Sequence, residues 1–287
     1  MTKFRKGIIL AGGSGTRLSP ITKGLSKQLI PIYNKPMIYY PLSILMLANI
    51  DNVLIISQEI YLPFYKELFG DGSHLGLRIE YSIQNAPGGI PEAFIIGEKF
   101  IGKDNVALIL GDNIFYGSNF SKFLEIANNK KNVIFSKQVD NPTSFGVIEY
   151  KKNIPHKIIE KPKKTKSNQI VTGLYFYENN VIKLSKKLKK SKRGELEITD
   201  LNNILLDQKN LEIISLPRAT LWLDTGTVEN LHQCSQLIYS IEKNTNIMIA
   251  NLEEISLKKG KITKSFFRSL VNKMPKNDYS IYLSKFL

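Results

Sequence analysis

The sequence predicts an α/β protein: a Rossmann-like, mainly parallel sheet flanked by helices, with a smaller mixed β portion and a C-terminal helical appendage. Three observations carry this expectation. Through the first half, short runs rich in Ile, Val and Leu on both faces, such as "GIILAG" and "VALILGD", alternate with helix-period segments. The second half changes to closely spaced strand-like runs with short polar breaks. Beyond Ala250 the tail alternates charge and apolarity, as short helices do.

The elements follow in order. "GIILAG" reads as the first strand, "MIYYPLSILMLANI" as a helix, and "NVLIIS" as the second strand. "IYLPFYKELFG" is helical, "RIEYSI" extended, "IPEAFIIGEKFI" helical and "VALILGD" extended. Strands apolar on both faces need cover on both sides, and right-handed crossovers then build a doubly wound layer. "NVIFSKQV", "FGVIEY", "HKIIEK" and "IVTGLYFY" are strands close enough to pair antiparallel. Helical patterns return at residues 179–190, 197–208 and 227–242. With no repeat and no low-complexity linker, residues 1–249 form one domain. Residues 250–287 form the appendage, an interface element in which Phe266, Phe267 and Leu270 look exposed.

The chain has 287 residues, 43% hydrophobic and 23% charged, which suits a globular protein with a substantial core. No apolar run approaches the ~20 residues that span a bilayer. "MTKFRKG" leads into a strand without a signal-peptide cleavage pattern, and Cys234 alone forms no internal disulfide. The expectation is a cytoplasmic protein that engages neither membrane nor nucleic acid. The net charge of +15 is mostly lysine, with arginine only at Arg5, Arg17, Arg78, Arg193, Arg218 and Arg268. Nucleic-acid readers favour arginine for its bidentate fork. In "VIKLSKKLKKSKR" an apolar stripe of Val181, Leu184 and Leu188 leaves most lysines on a solvated face.

Chemistry concentrates at three places. "AGGSGTR" follows the first strand directly, at the edge where open α/β sheets bind ligands. Gly12, Gly13, Ser14, Gly15 and Thr16 allow close backbone approach and an anion-binding concavity of N–H groups. Arg17 would neutralise a polyphosphate, with Lys27 as the next motif cation. A tight strand-to-helix turn is the plain alternative. The loop lacks the third glycine of a dinucleotide fingerprint and the Gly-Lys-Ser/Thr of a P-loop. Asp112 in "VALILGDN" stands just past an apolar strand, and Asp224 in "LWLDTGT" repeats the arrangement before a helix. Either aspartate alone suits a turn or a helix cap. As a pair they suit Mg²⁺, which takes one or two carboxylates and completes its shell with phosphate oxygens and water.

These stretches also carry a resemblance. "GIILAGGSGTRLSPIT" followed by "SKQLIPIYNKPMIYYPLS" resembles the sugar-1-phosphate nucleotidylyltransferases. Ser26-Lys27-Gln28-Leu29 with "KPMIYYPL" is similar to their glucose-1-phosphate thymidylyltransferase branch, and the likeness continues through "LGDNIFYG", "RGELEITDLNNILL" and "LWLDTGT". The resemblance implies that residues 1–249 are a catalytic domain for Mg²⁺-dependent thymidylyl transfer from dTTP to glucose 1-phosphate, giving dTDP-glucose and pyrophosphate. UTP, another triphosphate or another sugar 1-phosphate is the near alternative; a non-catalytic nucleotide- or nucleic-acid-binding protein is the distant one.

In that frame Arg17, Lys27, Asp112 and Asp224 are catalytic, the two aspartates as metal ligands. Gln28 and Gln84 face the base, with Gly89 in close backbone contact. Asn113, Gly146, Glu160 and Val171 line the glucose, while Lys161 and Arg193 hold its phosphate. Family members are commonly homotetramers with a second nucleotide-sugar site, which Arg218 and Glu254 match here. The sequence departs from the family pattern in Gly88-Gly89-Ile90-Pro91-Glu92, where Asp-Gly and small or amide residues are usual after Pro87. Phe145, Ser19 and Ser118 depart as well, two of them from tyrosine and the last from histidine. Trp222 and Phe176 read as core aromatics, Cys234 as packing and Lys23 as a solvated surface residue.

Overall fold

The computed structural model of the chain describes residues 5–13 and 15–287. The first half runs β1 (Arg5–Leu10), β2 (Pro31–Ile32), β3 (Lys35–Pro36), α1 (Tyr39–Leu47), β4 (Asn52–Ser57), α2 (Leu62–Phe69), β5 (Arg78–Ile83), α3 (Glu92–Ile96), α4 (Glu98–Ile101), β6 (Asn105–Leu110), β7 (Asn113–Tyr116) and α5 (Phe120–Asn128). The second half runs β8 (Val133–Gln138), β9 (Gly146–Lys151), β10 (Ile154–Glu160), β11 (Gln169–Tyr177), α6 (Val181–Lys187), α7 (Ile198–Asp207), β12 (Glu212–Ser215), β13 (Leu221–Asp224) and α8 (Val228–Thr245). α9 (Leu252–Lys258), α10 (Lys264–Lys273) and α11 (Asp278–Leu283) close the chain.

The main sheet has the order β10-β9-β11-β6-β1-β4-β5, with β8 joined to β11 and β12 to β8. β6, β1, β4 and β5 are parallel neighbours, as the doubly apolar strands require. β11 pairs antiparallel with β6, β8 and β9, and β10 with β9, giving the mixed portion. Successive residues of a strand point to opposite faces. Ile9, Ile55 and Ile109 therefore pack with Leu42, Leu45 and Leu124 on one side of the sheet. Ile8, Leu54 and Leu108 pack with Phe94, Ile101 and Leu201 on the other. Full burial of each such side chain contributes about 1.5–3 kcal/mol before conformational entropy is charged against it.

Three local expectations need correction. The single helix expected over "IPEAFIIGEKFI" is broken at Gly97 into α3 and α4. A Cβ at Gly97 would stand 3.0 Å from Ile8 Cδ1 and 3.3 Å from Leu54 Cδ2, so the glycine lets the pair lie close on the sheet. α6 stops at Lys187, where Leu188 turns extended, so the lysine run beyond it is not helical. Phe267 is fully buried with Val271 and Leu283 in a small cluster formed by the C-terminal helices, whereas Phe266 is 43% exposed. Consecutive positions of a helix face different directions, and only one of the two phenylalanines can turn inward. Among the described residues no helix is long and apolar enough to cross a membrane.

Candidate active site

The parallel strands β1, β4, β5 and β6 all end at one edge, and the site is built there. Ala11 N donates to Ile56 O at 2.8 Å, Ser57 Oγ to Ala11 O at 2.9 Å, and Gly111 N to Leu10 O at 2.9 Å. These bonds fix the loops leaving β1 and β6 side by side. Gly13 then takes φ +109, with nothing within 4 Å of where a Cβ would stand. Gly15 takes φ +58 against Thr22, whose hydroxyl donates to Gly15 O at 2.9 Å. Both conformations favour glycine. Thr16–Leu18 form a 3-10 turn that buries Leu18 and leaves Arg17 exposed at the rim of the site.

Two adjoining cavities result. The first, about 210 Å³, is lined by Gly12, Gly13, Gly15, Thr16, Arg17, Leu18, Lys27, Gln28, Asp112 and Gly226. Ser14 lies outside the described residues. The second, about 190 Å³, brings together Asn113, Gly146, Glu160, Lys161 and Val171 with Asp224, Phe145, Thr199 and Trp222. Arg17 and Asp112 line both.

The two aspartates meet because β13 pairs antiparallel with β7, setting Asp224 opposite Asn113. Thr225 Oγ1 donates to Asp112 O at 3.0 Å and holds the junction from behind. Lys27 Nζ donates to Asp112 Oδ2 at 2.5 Å, and Asn113 Nδ2 to Asp112 Oδ1 at 3.0 Å. Burial pushes the Asp112 carboxyl up, but the charge and hydrogen bond of Lys27 and the bond from Asn113 outweigh it, leaving it below its ordinary value. Asp224 goes the other way: burial and the Asp112 charge raise it, against the opposing pull of Lys27 and Arg17. Gly226 makes room here, since a Cβ would stand 3.0 Å from Arg17 Nη2 and 3.1 Å from both Asp224 oxygens.

In the second cavity Glu160 ends β10 and is held at both oxygens. Thr199 Oγ1 donates to Oε2 at 2.5 Å, and Arg193 Nη2 to Oε1 at 3.4 Å. Lys161 sits at φ +41, an uncommon conformation for a side-chain-bearing residue, with its N–H on Phe145 O at 3.0 Å. Its side chain borders the second cavity.

The structure leaves some expected residues outside the two walls. Arg193 is 42% exposed and clamped on Glu197, with Nη2 to Oε2 at 2.6 Å and Nε to Oε1 at 3.1 Å; it touches the site only through Glu160. Gln84 is buried behind Gly12, and Gly89, at φ +93, packs against the Leu196 backbone. Arg218 is exposed, and Glu254 is buried with Tyr282 Oη donating to Oε2 at 2.6 Å; neither lines either of these two cavities. Lys23 is exposed, and Phe176 and Cys234 are fully buried.

Trp222, expected in the core, instead borders the second cavity. Its Nε1 donates to Asn113 Oδ1 at 2.7 Å, and its ring meets Phe145 edge-on at 5.4 Å between centroids. Strand alternation was the available signal, because Trp222 and Asp224 are two apart and share a face. Thr199 and Gly226 were also missed, and no local pattern marks Thr199.

Comparisons with known proteins follow the same line. Residues 6–240 match the family model described as Nucleotidyl transferase. The chain is 50% identical over 285 residues to a glucose-1-phosphate thymidylyltransferase of Neisseria meningitidis, covering 98% of this chain and 99% of that one. Its counterpart in Mycobacterium tuberculosis is 44% identical over 287 residues, with 98% and 99% covered. A Bacillus anthracis crystal structure described as a glucose-1-phosphate thymidylyltransferase superposes with TM-score 0.75 at 38% identity, over 81% of this chain and 94% of that one. A UDP-glucose pyrophosphorylase at 23% identity and TM-score 0.73 shares the fold. With a matching family model over most of its length and relatives alike from end to end, the chain belongs to the nucleotidyl transferase family, among its glucose-1-phosphate thymidylyltransferases.

Proposed function

We propose that this chain transfers a thymidylyl group from dTTP to glucose 1-phosphate, giving dTDP-glucose and pyrophosphate. The observation that carries this reading is the shared wall. Arg17 and Asp112 border both cavities, so two anionic substrates seated in them would meet at those residues. A phosphate oxygen of the sugar 1-phosphate bonds to the α-phosphorus of the triphosphate. The bond from that phosphorus to the α,β-bridging oxygen breaks, and pyrophosphate leaves with the electron pair. The attacking phosphate is already anionic near neutral pH, so no general base is required; positioning and charge compensation are.

Arg17 and Lys27 take the triphosphate side, beside the backbone concavity of Gly12, Gly13 and Gly15. Lys161 takes the sugar phosphate. Glu160 accepts from sugar hydroxyls, with Thr199 and Arg193 fixing its oxygens. Gly146 and Val171 shape the sugar wall, and Asn113 ties Asp112 to it.

The family generally uses a divalent metal, and Mg²⁺ is our reading. Asp112 and Asp224 fit it: two hard oxygen donors share one junction, where burial and then the Asp112 charge raise Asp224. Among the described residues no group of three or more His, Cys, Asp or Glu side chains gathers, so substrate phosphate and water would supply the remaining ligands. When bound, such a cation neutralises charge between the two phosphates. Assembly as a homo-oligomer, with residues 250–287 at the interface, belongs to the same reading.

Pyrophosphate release with Mg²⁺ and glucose 1-phosphate tests this, each of dTTP, UTP, CTP, ATP and GTP being offered separately. Release is expected to be fastest with dTTP and to fall about a thousandfold in Asp112→Asn. Release with another triphosphate alone would keep the mechanism and change the substrate. No release with any of them would overturn the reading.

A further inference from the structure

Beside the triphosphate cavity stand two residues with no part in the transfer step, Gly88 and Glu92. Gln84 follows β5, its N–H on Ser57 O at 2.8 Å and its side chain buried. Its Nε2 donates to Glu92 Oε2 at 2.6 Å. An ionised carboxylate only accepts, so the amide nitrogen must face Glu92 and Oε1 must face away. Away means toward Gly12, where an added Cβ would stand 2.8 Å from Gln84 Oε1. Gly12 lines the cavity, and no donor among the described residues reaches that oxygen.

Gly88 makes this arrangement possible, because a Cβ there would run into the Glu92 carboxylate. The loop is anchored from behind by Leu196 N donating to Gly88 O at 2.9 Å. The cavity is thus polarised. Arg17 and Lys27 supply positive charge on the wall, while Gln84 Oε1, an acceptor backed by a carboxylate, stands directly behind Gly12, where no side chain covers it. That acidic backing disfavours phosphate, so the part of a nucleotide suited to Gln84 is its uncharged base. The charge-assisted bond at Nε2 also strengthens Oε1 as an acceptor.

We propose that Glu92, seated in the space Gly88 leaves, is a positioning residue for nucleobase choice. By locking the Gln84 carboxamide, it makes the site accept a base with a ring N–H, as thymine and uracil have at N3, and reject cytosine, whose N3 is an acceptor. The inference rests on the nucleotide-binding reading above. Without the lock the amide turns over and offers its NH₂ to cytosine instead.

Titration calorimetry of dTTP and dCTP with Mg²⁺, in the absence of sugar phosphate, tests this without requiring turnover. The unmutated chain binds dTTP more tightly, and Glu92→Ala narrows the ratio of the two Kd values about tenfold. Glu92→Gln, whose carboxamide donates as well as accepts, no longer dictates which end of Gln84 faces it and narrows the ratio in the same direction. Gly88→Ala displaces the carboxylate and narrows the ratio as Glu92→Ala does, but changes nothing further when added to Glu92→Ala. A ratio unchanged in Glu92→Ala and Gly88→Ala, a ratio held in Glu92→Gln, or no preference in the unmutated chain overturns the proposal. A preference relaxed in this pattern, without pyrophosphate release from any triphosphate, would support it while sinking the proposed reaction.

Discussion

The two cavities share Arg17 and Asp112 but are built by different means. The first comes largely from one continuous stretch, Gly12 to Gln28, closed by Asp112 and Gly226. Its shape is set by backbone: glycines at positive φ, a 3-10 turn, and carbonyls tied to neighbouring strands. The second is assembled from β9, β10, β11, α7 and β13, and its polar groups are already committed to one another. Glu160 holds Thr199 and Arg193; Asn113 Oδ1 accepts from Trp222 Nε1 and from Gly173 N at 3.0 Å. A backbone-made cradle depends on glycine and on a few cations. A side-chain network spreads its geometry over many partners, so single changes there should shift selectivity more than turnover.

That contrast can be broken or sharpened by substitution. The largest effect belongs to Arg17, which borders both cavities. Arg17→Ala should lower kcat/KM about a thousandfold and raise KM for both substrates. A rise confined to one KM in steady-state kinetics would mean that the cavities do not share it functionally. Glu160→Gln should act on one side only. KM for glucose 1-phosphate should rise about tenfold, from weakened charge-assisted hydrogen bonds, with KM for dTTP within about twofold. Parallel rises in both would erase the division. Trp222→Phe keeps a ring against Phe145 and deletes the Nε1 donor to Asn113, so kcat/KM should fall about three- to tenfold. A loss as large as that of Arg17→Ala would place Trp222 at the reacting groups.

The smallest expected effect is on stability. Glu197 is pushed up by burial, but hydrogen bonds from Arg193 and Ser191 and the Arg193 charge outweigh it and hold the carboxyl below its ordinary value of 4.5. A depressed carboxyl stabilises the fold above its unfolded pKa, and that contribution fades as pH falls through the folded value. Glu197→Gln should therefore lower Tm at pH 7 and converge with the unmutated chain in acid. Arg193 is 42% exposed, so screening limits the pair to about 1 kcal/mol or less, or about 2–4 °C. A Tm difference that persisted at the acid end would point to lost packing instead of lost charge.

Local patterns in the sequence were enough for the main parallel strands and most of their covering helices, and for singling out the glycine loop with its cations and the two aspartates. An apolar run on both faces specifies a covered parallel strand wherever it lies. A glycine cluster before Arg17 specifies a turn that only glycine adopts freely. Tertiary structure decided what meets what. Asp112 and Asp224 share a junction through the antiparallel pairing of β7 with β13, which no window of sequence encodes. Arg193 was legible as a cation, yet its guanidinium goes to Glu197, four residues along its own chain, and reaches the site only through Glu160. Trp222 was legible as a large apolar residue, yet its indole N–H finds Asn113 and its ring becomes cavity wall. Charge, size and periodicity belong to residues one at a time; partners are chosen by competition among groups that only folding brings within reach.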